Sequence, residues 1–157
     1  MTSPAVSVLR SFAVALIAVA SGTVFLDLQA APAVPDPCSL ITVAELVQIV
    51  GPIAGKPRPG DIKGGDVSCE YTPAKEPAWI EVRLNDGDLA SWKRRNGGKS
   101  PVAVPEFGTD AFINLDADGS TDIFTKKGAL VLRVSMPISP KSFENVKAIA
   151  RKALARL

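Results

Sequence analysis

Two cysteines and no histidine set the terms on which this 157-residue chain can fold. Lacking histidine, it has neither the commonest general base nor the commonest zinc ligand, and no Ser-His or Cys-His nucleophile pair can form within it. Cys38 and Cys69 alone make no closed zinc site, and their spacing is not the Cys-X-X-Cys of a reactive thiol pair. In an exported protein such an even pair reads as a disulfide. Closing a loop of about 30 residues contributes roughly 3.5 kcal/mol on the chain-entropy model, a large share of a small domain's stability.

Export is what the N-terminus suggests. Arg10 precedes the apolar run Phe12 to Ala20, a small-residue break at Ser21-Gly22-Thr23 and a second apolar patch from Val24 to Leu26. This is the pattern of a secretory signal occupying residues 1–33, with cleavage after Ala30 or Ala33. The stretch from Phe12 to Leu26 falls short of the roughly 20 residues a helix needs to cross a bilayer, so no stable membrane span is expected after cleavage. Removal takes one Arg and one Asp and leaves the net charge at +2. That balance argues against a nucleic-acid partner, which requires a strong basic footprint. The chain that remains is long enough for one domain with one core.

Prolines make residues 34–37 a stiff lead-in, and the domain proper runs from Cys38 to Leu157. Its first element is announced by Thr42 as N-cap, Glu45 three residues on to complete a capping box, and Ile41 with Leu46 as a hydrophobic staple. Val43, Leu46, Val47 and Val50 share one face of that helix, and Gly51-Pro52 ends it. Residues 51–66 hold five glycines and three prolines, with Lys56, Arg58 and Lys63 exposed, and read as a loop.

Strands follow over Val67 to Thr72 and Trp79 to Leu84, an antiparallel pair by the short Thr72 to Pro77 link, in which Ile80, Val82 and Leu84 point inward and Glu81 and Arg83 toward water. Asp88 caps a short helix from Leu89 to Arg95 whose Leu89 and Trp92 touch the sheet. Val102 to Val104, bracketed by Pro101 and Pro105, is an edge strand or an extended connector. Strands near Asp110 to Leu115, Thr121 to Thr125 and Ala129 to Met136 precede a final helix, with Ser139 as N-cap and Pro140 at the first helical position. Phe143, Val146, Ile149, Ala150, Ala153, Leu154 and Leu157 form its apolar stripe, while Lys147, Arg151, Lys152 and Arg156 read as a solvated face that complements the helix dipole. An acidic envelope polymer is the rival reading of those four cations. The expected fold is α+β: a single antiparallel sheet of about five strands with an N-terminal helix, a short middle helix and a C-terminal amphipathic helix packed on it.

The stretch Asn114 to Asp122, NLDADGSTD, begins like a calcium loop, with Asn114, Asp116, Asp118 and Asp122 at ligand positions and Gly119 at the sharp turn. Thr125 stands where that loop requires a bidentate Glu, and the flanks alternate like strands. A hairpin explains more. With Ala117-Asp118-Gly119 as a three-residue loop, Asp116 pairs with Ser120, Ile113 with Ile123 and Phe112 with Phe124, so like faces like. Lys126-Lys127-Gly128 is read in the same way, which aligns Phe124 with Leu130 and Ile123 with Val131.

Asp36-Pro-Cys-Ser-Leu-Ile-Thr-Val-Ala-Glu45, Cys69-Glu-Tyr71 and Val104-Pro-Glu-Phe-Gly-Thr-Asp-Ala111 together resemble small exported lipoprotein-type domains of unknown function, best represented in actinobacteria. The resemblance spans residues 36 to 155 by order of elements. It implies an α+β domain, a disulfide between the matched cysteines and an envelope location, and it brings no catalytic residues. The chain departs from it in one respect: Cys38 follows Pro35-Asp-Pro37 with no lipobox before it. A periplasmic or extracellular protein, not lipidated at Cys38, is therefore expected.

The function expected is that of a non-catalytic module for an envelope protein or a small ligand, with no cofactor. Trp79, on the side of its strand opposite Ile80, is a candidate contact residue, as are Lys56 and Arg58; burial of Trp79 under a helix is the alternative. A purely structural or inhibitory envelope role fits the same residues. An enzyme would have to work through carboxylates such as Glu70, Glu81, Asp86 and Asp88, two of them held about 5 to 9 Å apart in a cleft.

Overall fold

The computed structural model describes residues 34–60, 66–75, 79–85, 87–96, 101–115 and 119–157. The expected leader, Lys63, Asp86, Asp116 and Asp118 lie outside them. A 3-10 turn over Pro37–Ser39 leads into α1, Val43–Val50. There follow β1 (Ile53–Pro59), β2 (Val67–Pro73), β3 (Ile80–Asn85), α2 (Leu89–Asn96), β4 (Val102–Ala103), a 3-10 turn Pro105–Phe107, β5 (Phe112–Leu115), β6 (Ser120–Lys127), β7 (Leu130–Pro137) and α3 (Ser142–Arg156).

All seven strands join one antiparallel sheet in the order β1-β2-β3-β7-β6-β5-β4. It consists of two meanders joined where β3 pairs with β7. The α+β class and the single antiparallel sheet are as expected, but the strand count is seven rather than about five. The additions are the two edges. β1 carries Pro57 and Pro59 and breaks register between Ala54 and Arg58, where Gly55 takes φ +71°. An edge strand leaves one row of amides unpaired, so it tolerates prolines that would exclude a central strand, and the bulge absorbs the glycine. At the far edge β4 is only two residues long, between Pro101 and Pro105.

Strand alternation sends Ile80, Val82, Leu84, Ile113, Ile123, Leu132 and Val134 to one face. There they form the main core with Leu40, Ile41 and Leu46 at the N-terminal end and Val146, Ile149, Ala150 and Ala153 of α3. The capping box is present as expected: Thr42 N donates to Glu45 Oε2 at 3.0 Å and Glu45 N to Thr42 Oγ1 at 3.3 Å. Val47, expected on the packed side of α1, is instead exposed, because only the Leu46 side of so short a helix reaches the sheet. A disulfide joins Cys38 to Cys69 and so fastens the 3-10 turn to β2. Beside it the Tyr71 hydroxyl donates to the Ile41 carbonyl at 3.1 Å. Burial of that phenol, reinforced by the charge of Asp36, pushes its pKa up to about 12.

α3 starts at Ser142 rather than at Pro140. Ser139 N donates to Ser142 Oγ at 3.2 Å, and Ser142 Oγ also lies 2.7 Å from the Thr121 hydroxyl on β6. Pro140 and Lys141 therefore form a turn, and the helix begins where a buried hydroxyl ties it to the sheet. Nor are its basic residues a bare solvated face. Lys152 and Arg156 both reach Glu45 Oε1, at 3.4 and 2.9 Å, Lys147 meets Glu106 at 2.9 Å, and Arg151 lies over the Phe107 ring at 5.2 Å. The Arg156 hydrogen bond, with the Thr42 amide, holds the Glu45 carboxyl well below the usual carboxylate range.

The β5–β6 register is the one expected, Ile113 against Ile123 and Phe112 against Phe124, with Gly119 at φ +87°. The β6–β7 hairpin differs. Lys127 pairs with Leu130, Phe124 with Arg133 and Ile123 with Val134, so the turn is the two residues Gly128-Ala129. Gly128 at φ +60° supplies the first central position of a two-residue turn, whose twist matches that of the strands. The shorter loop lets Lys126 and Lys127 extend the ladder.

Candidate functional site

The outer face of the sheet was expected to be wet, with Glu81 and Arg83 in solvent. Instead it carries an ordered, largely buried polar row. Register sets Glu70 opposite Glu81, Glu81 opposite Ser135, Ser135 opposite Asp122 and Asp122 opposite Asn114. The next row is Ser68, Arg83, Arg133, Phe124 and Phe112. Arg83 donates twice to Glu81 Oε1, at 3.1 and 2.6 Å, and reaches Asp66 at 3.4 Å. Arg133 donates to Asp122 Oδ1 from Nε and Nη2 at 3.1 and 3.0 Å. Ser120 Oγ donates to Asp122 Oδ2 at 2.9 Å, and Glu81 Oε2 lies 3.9 Å from Arg133. Asp122 is 1% exposed, so its charge is sustained only by this complete set of donors. Toward α2 the same face becomes aromatic: Phe112 stacks on Phe124 at 4.7 Å, Trp92 packs on Phe124 at 5.6 Å, and Leu89 and Val131 complete a second core.

These contacts account for most carboxylates weighed as catalytic groups. Glu81 is committed to two arginines and Glu70 to Arg58 at 3.4 Å. Asp88 is the α2 cap expected from the sequence, accepting from Ala90 N and Ser91 N at 3.2 and 3.0 Å and from Ser91 Oγ at 3.0 Å. Those bonds hold its carboxyl below the usual range, so it is an ionised anchor and not a proton donor near neutral pH. Asp88 and Asp110 both border a cleft of about 350 Å³ between α2 and the β6–β7 turn, with Lys126 across it. One of these two carboxylates is spent on the helix.

Of the four residues of the metal alternative, Asp116 and Asp118 lie outside the described residues. Asn114 and Asp122 face each other within the sheet, and the Asp122 oxygens accept from Arg133 and Ser120. Among the described residues no group of three or more His, Cys, Asp or Glu side chains is placed to hold a metal ion. Arg58 and Lys56 lie on edge strand β1, not in a loop, and both are exposed.

Trp79 is different. It is 43% exposed, and so not buried under a helix, and lies just before β3 begins. It borders a cleft of about 260 Å³ at the end of the sheet, where β2, β3 and β7 run out against the last residue of α1 and the first turn of α3. Ile80 and Met136 supply its apolar floor, Pro73, Pro137 and Val50 its walls, and Ile138, 51% exposed, stands at the mouth with Trp79. Lys75, Ser139 and Asn145 are the polar lining. The sequence pointed to Trp79 but missed the partners. A signal was present in Pro137-Ile138-Ser139-Pro140, an isolated large apolar residue in a proline-bounded link where burial is not to be expected. No family model, curated protein or solved structure matches the chain.

Proposed function

We propose that this protein is an exported, non-catalytic domain that binds an envelope partner or a small ligand at the Trp79 cleft. The observation that carries the proposal is the pairing of two large, half-exposed apolar side chains, Trp79 and Ile138, over a floor of buried core residues, with hydrogen-bonding groups at the rim. Ligand sites have this make-up: an apolar concavity and a few polar groups that fix orientation. Of the carboxylates weighed for catalysis, Glu70 and Glu81 are bound in ion pairs and Asp88 in helix capping. The disulfide supports an oxidising compartment, and with its sulfur bonded to Cys69, Cys38 has none left for a lipid thioether. This agrees with the resemblance to exported envelope domains.

A neutral apolar probe tests the site. Trp92→Phe leaves Trp79 as the sole tryptophan, and benzyl alcohol titrated against it should give a saturable change in emission. Adding Ile138→Ser should weaken that response several-fold. A linear, non-saturating response, or one indifferent to Ile138→Ser, contradicts the proposal.

A further inference from the structure

The polar lining of the Trp79 cleft is biased toward hydrogen-bond donors. Lys75 and the indole N–H of Trp79 can only donate, Ser139 and Asn145 can donate or accept, and among the described residues no carboxylate lines the cleft. Lys75 and Trp79 have no hydrogen-bond, ion-pair or ring partner of their own among the described residues. Arg83 and Arg133 are neutralised by Glu81, Asp66 and Asp122, and Lys152 and Arg156 by Glu45, whereas Lys75 is the described cation that lines this cleft and it has no ion pair among the described residues. The cleft also meets the N-terminal end of the 15-residue α3, whose cap residue Lys141 makes no side-chain bond to it. The positive end of that helix dipole adds to the field of Lys75. A volume of about 260 Å³ lies just below the roughly 300–1,000 Å³ of pockets that hold drug-sized ligands, which sets the ligand at fragment size.

From these features we infer that the cleft takes a small carboxylate with an apolar body, such as a short-chain acyl or aryl acid, its body against Ile80, Met136 and Ile138 and its carboxylate toward Lys75. The inference rests on the proposed binding role of the cleft and names its ligand class. Carboxylate is favoured over a neutral alcohol of equal length because the unpaired ammonium gains an ion pair while the apolar contacts stay the same.

Hexanoate and 1-hexanol, titrated separately against the full domain with Trp79 emission as readout, separate the two levels. Hexanoate should bind roughly fivefold more tightly at low salt, the upper end of what an exposed ion pair is worth. Raising the ionic strength should shrink that preference. Lys75→Gln should abolish it while leaving 1-hexanol binding as it was, which also shows that the variant is folded. Equal binding of the two probes, or a preference that survives Lys75→Gln, overturns the ligand class and leaves the binding cleft standing. Failure of both probes to bind the unaltered protein overturns both.

Discussion

The two faces of the sheet exclude water by opposite means, although the same strands supply both. Against α1 and α3, buried aliphatic residues of β3, β5, β6 and β7 interlock with the helices. On the α2 side the intervening residues form a lattice of carboxylates, guanidiniums and hydroxyls that gives way to stacked aromatics. No described buried side-chain nitrogen or oxygen lacks a partner, so the polar face is as complete as the apolar one is packed. The difference lies in how each fails. An apolar face loses stability in proportion to the volume removed, whereas a buried ion lattice tolerates replacement as a whole and not the loss of one member.

Substitutions at neighbouring positions of β6 break this comparison most directly. Ile123→Ala, on the apolar face, should destabilise by about 4 kcal/mol through cavity formation, read as a fall in the denaturant midpoint. Asp122→Ala, one residue away, should cost about 3 kcal/mol by leaving Arg133 without its main acceptor, a figure held low because that side chain is 19% exposed and Glu81 stays nearby. The double replacement Asp122→Leu with Arg133→Met should recover most of that loss, to within about 1 kcal/mol of the parent. If the double variant is as unstable as Asp122→Ala, the lattice is not a replaceable unit and the contrast between faces fails.

The hairpin that fixes which residues reach which face gives a smaller effect. Gly119→Ala should destabilise by roughly 1 kcal/mol, since its positive φ strains any other residue. An unchanged melting temperature would remove that turn as a determinant of register. Least in size is the Glu45 cluster, which shares the ion-pair chemistry but sits among the helices. Its folded-state pKa is depressed, so its contribution is present above the usual glutamate value of 4.5 and is lost as pH falls below that value toward the folded one. Glu45→Gln should therefore melt below the parent at pH 7, and the gap should close on acidification. A gap that stays constant from pH 7 to pH 3 would mean that the carboxylate charge is not what stabilises this corner.

What was legible in the sequence was what local chemistry determines. Thr42 with Glu45, Asp88 before Leu89, the alternation of Ile80, Val82 and Leu84, and the matched pairs of the Gly119 hairpin all carry their reasons within a few residues. The cysteine pair was legible because two sulfurs leave one pairing. What escaped depended on distant neighbours. Glu81 and Arg83 look solvent-facing in one strand, and only the arrival of Arg133 and Asp122 from β7 and β6 makes their face a buried lattice. β1 looked like a loop because prolines are weighed against strands without knowing that the strand is an edge. The Gly128 turn was misjudged because Lys126 and Lys127 resemble loop residues, whereas both belong to the ladder. The cleft joins Lys75, Trp79, Ile138 and Asn145, which meet only after β7 has paired with β3.

The central claim is that binding belongs to the open end of the apolar face and not to the charged one. Methyl-selective NMR of the Ile, Leu, Val and Met groups during a benzyl alcohol titration tests it most directly. Shifts concentrated at Ile80, Met136 and Ile138, with Leu89 and Val131 unmoved, are the predicted result. Shifts centred on Leu89 and Val131, the methyls of the α2 face, would contradict it.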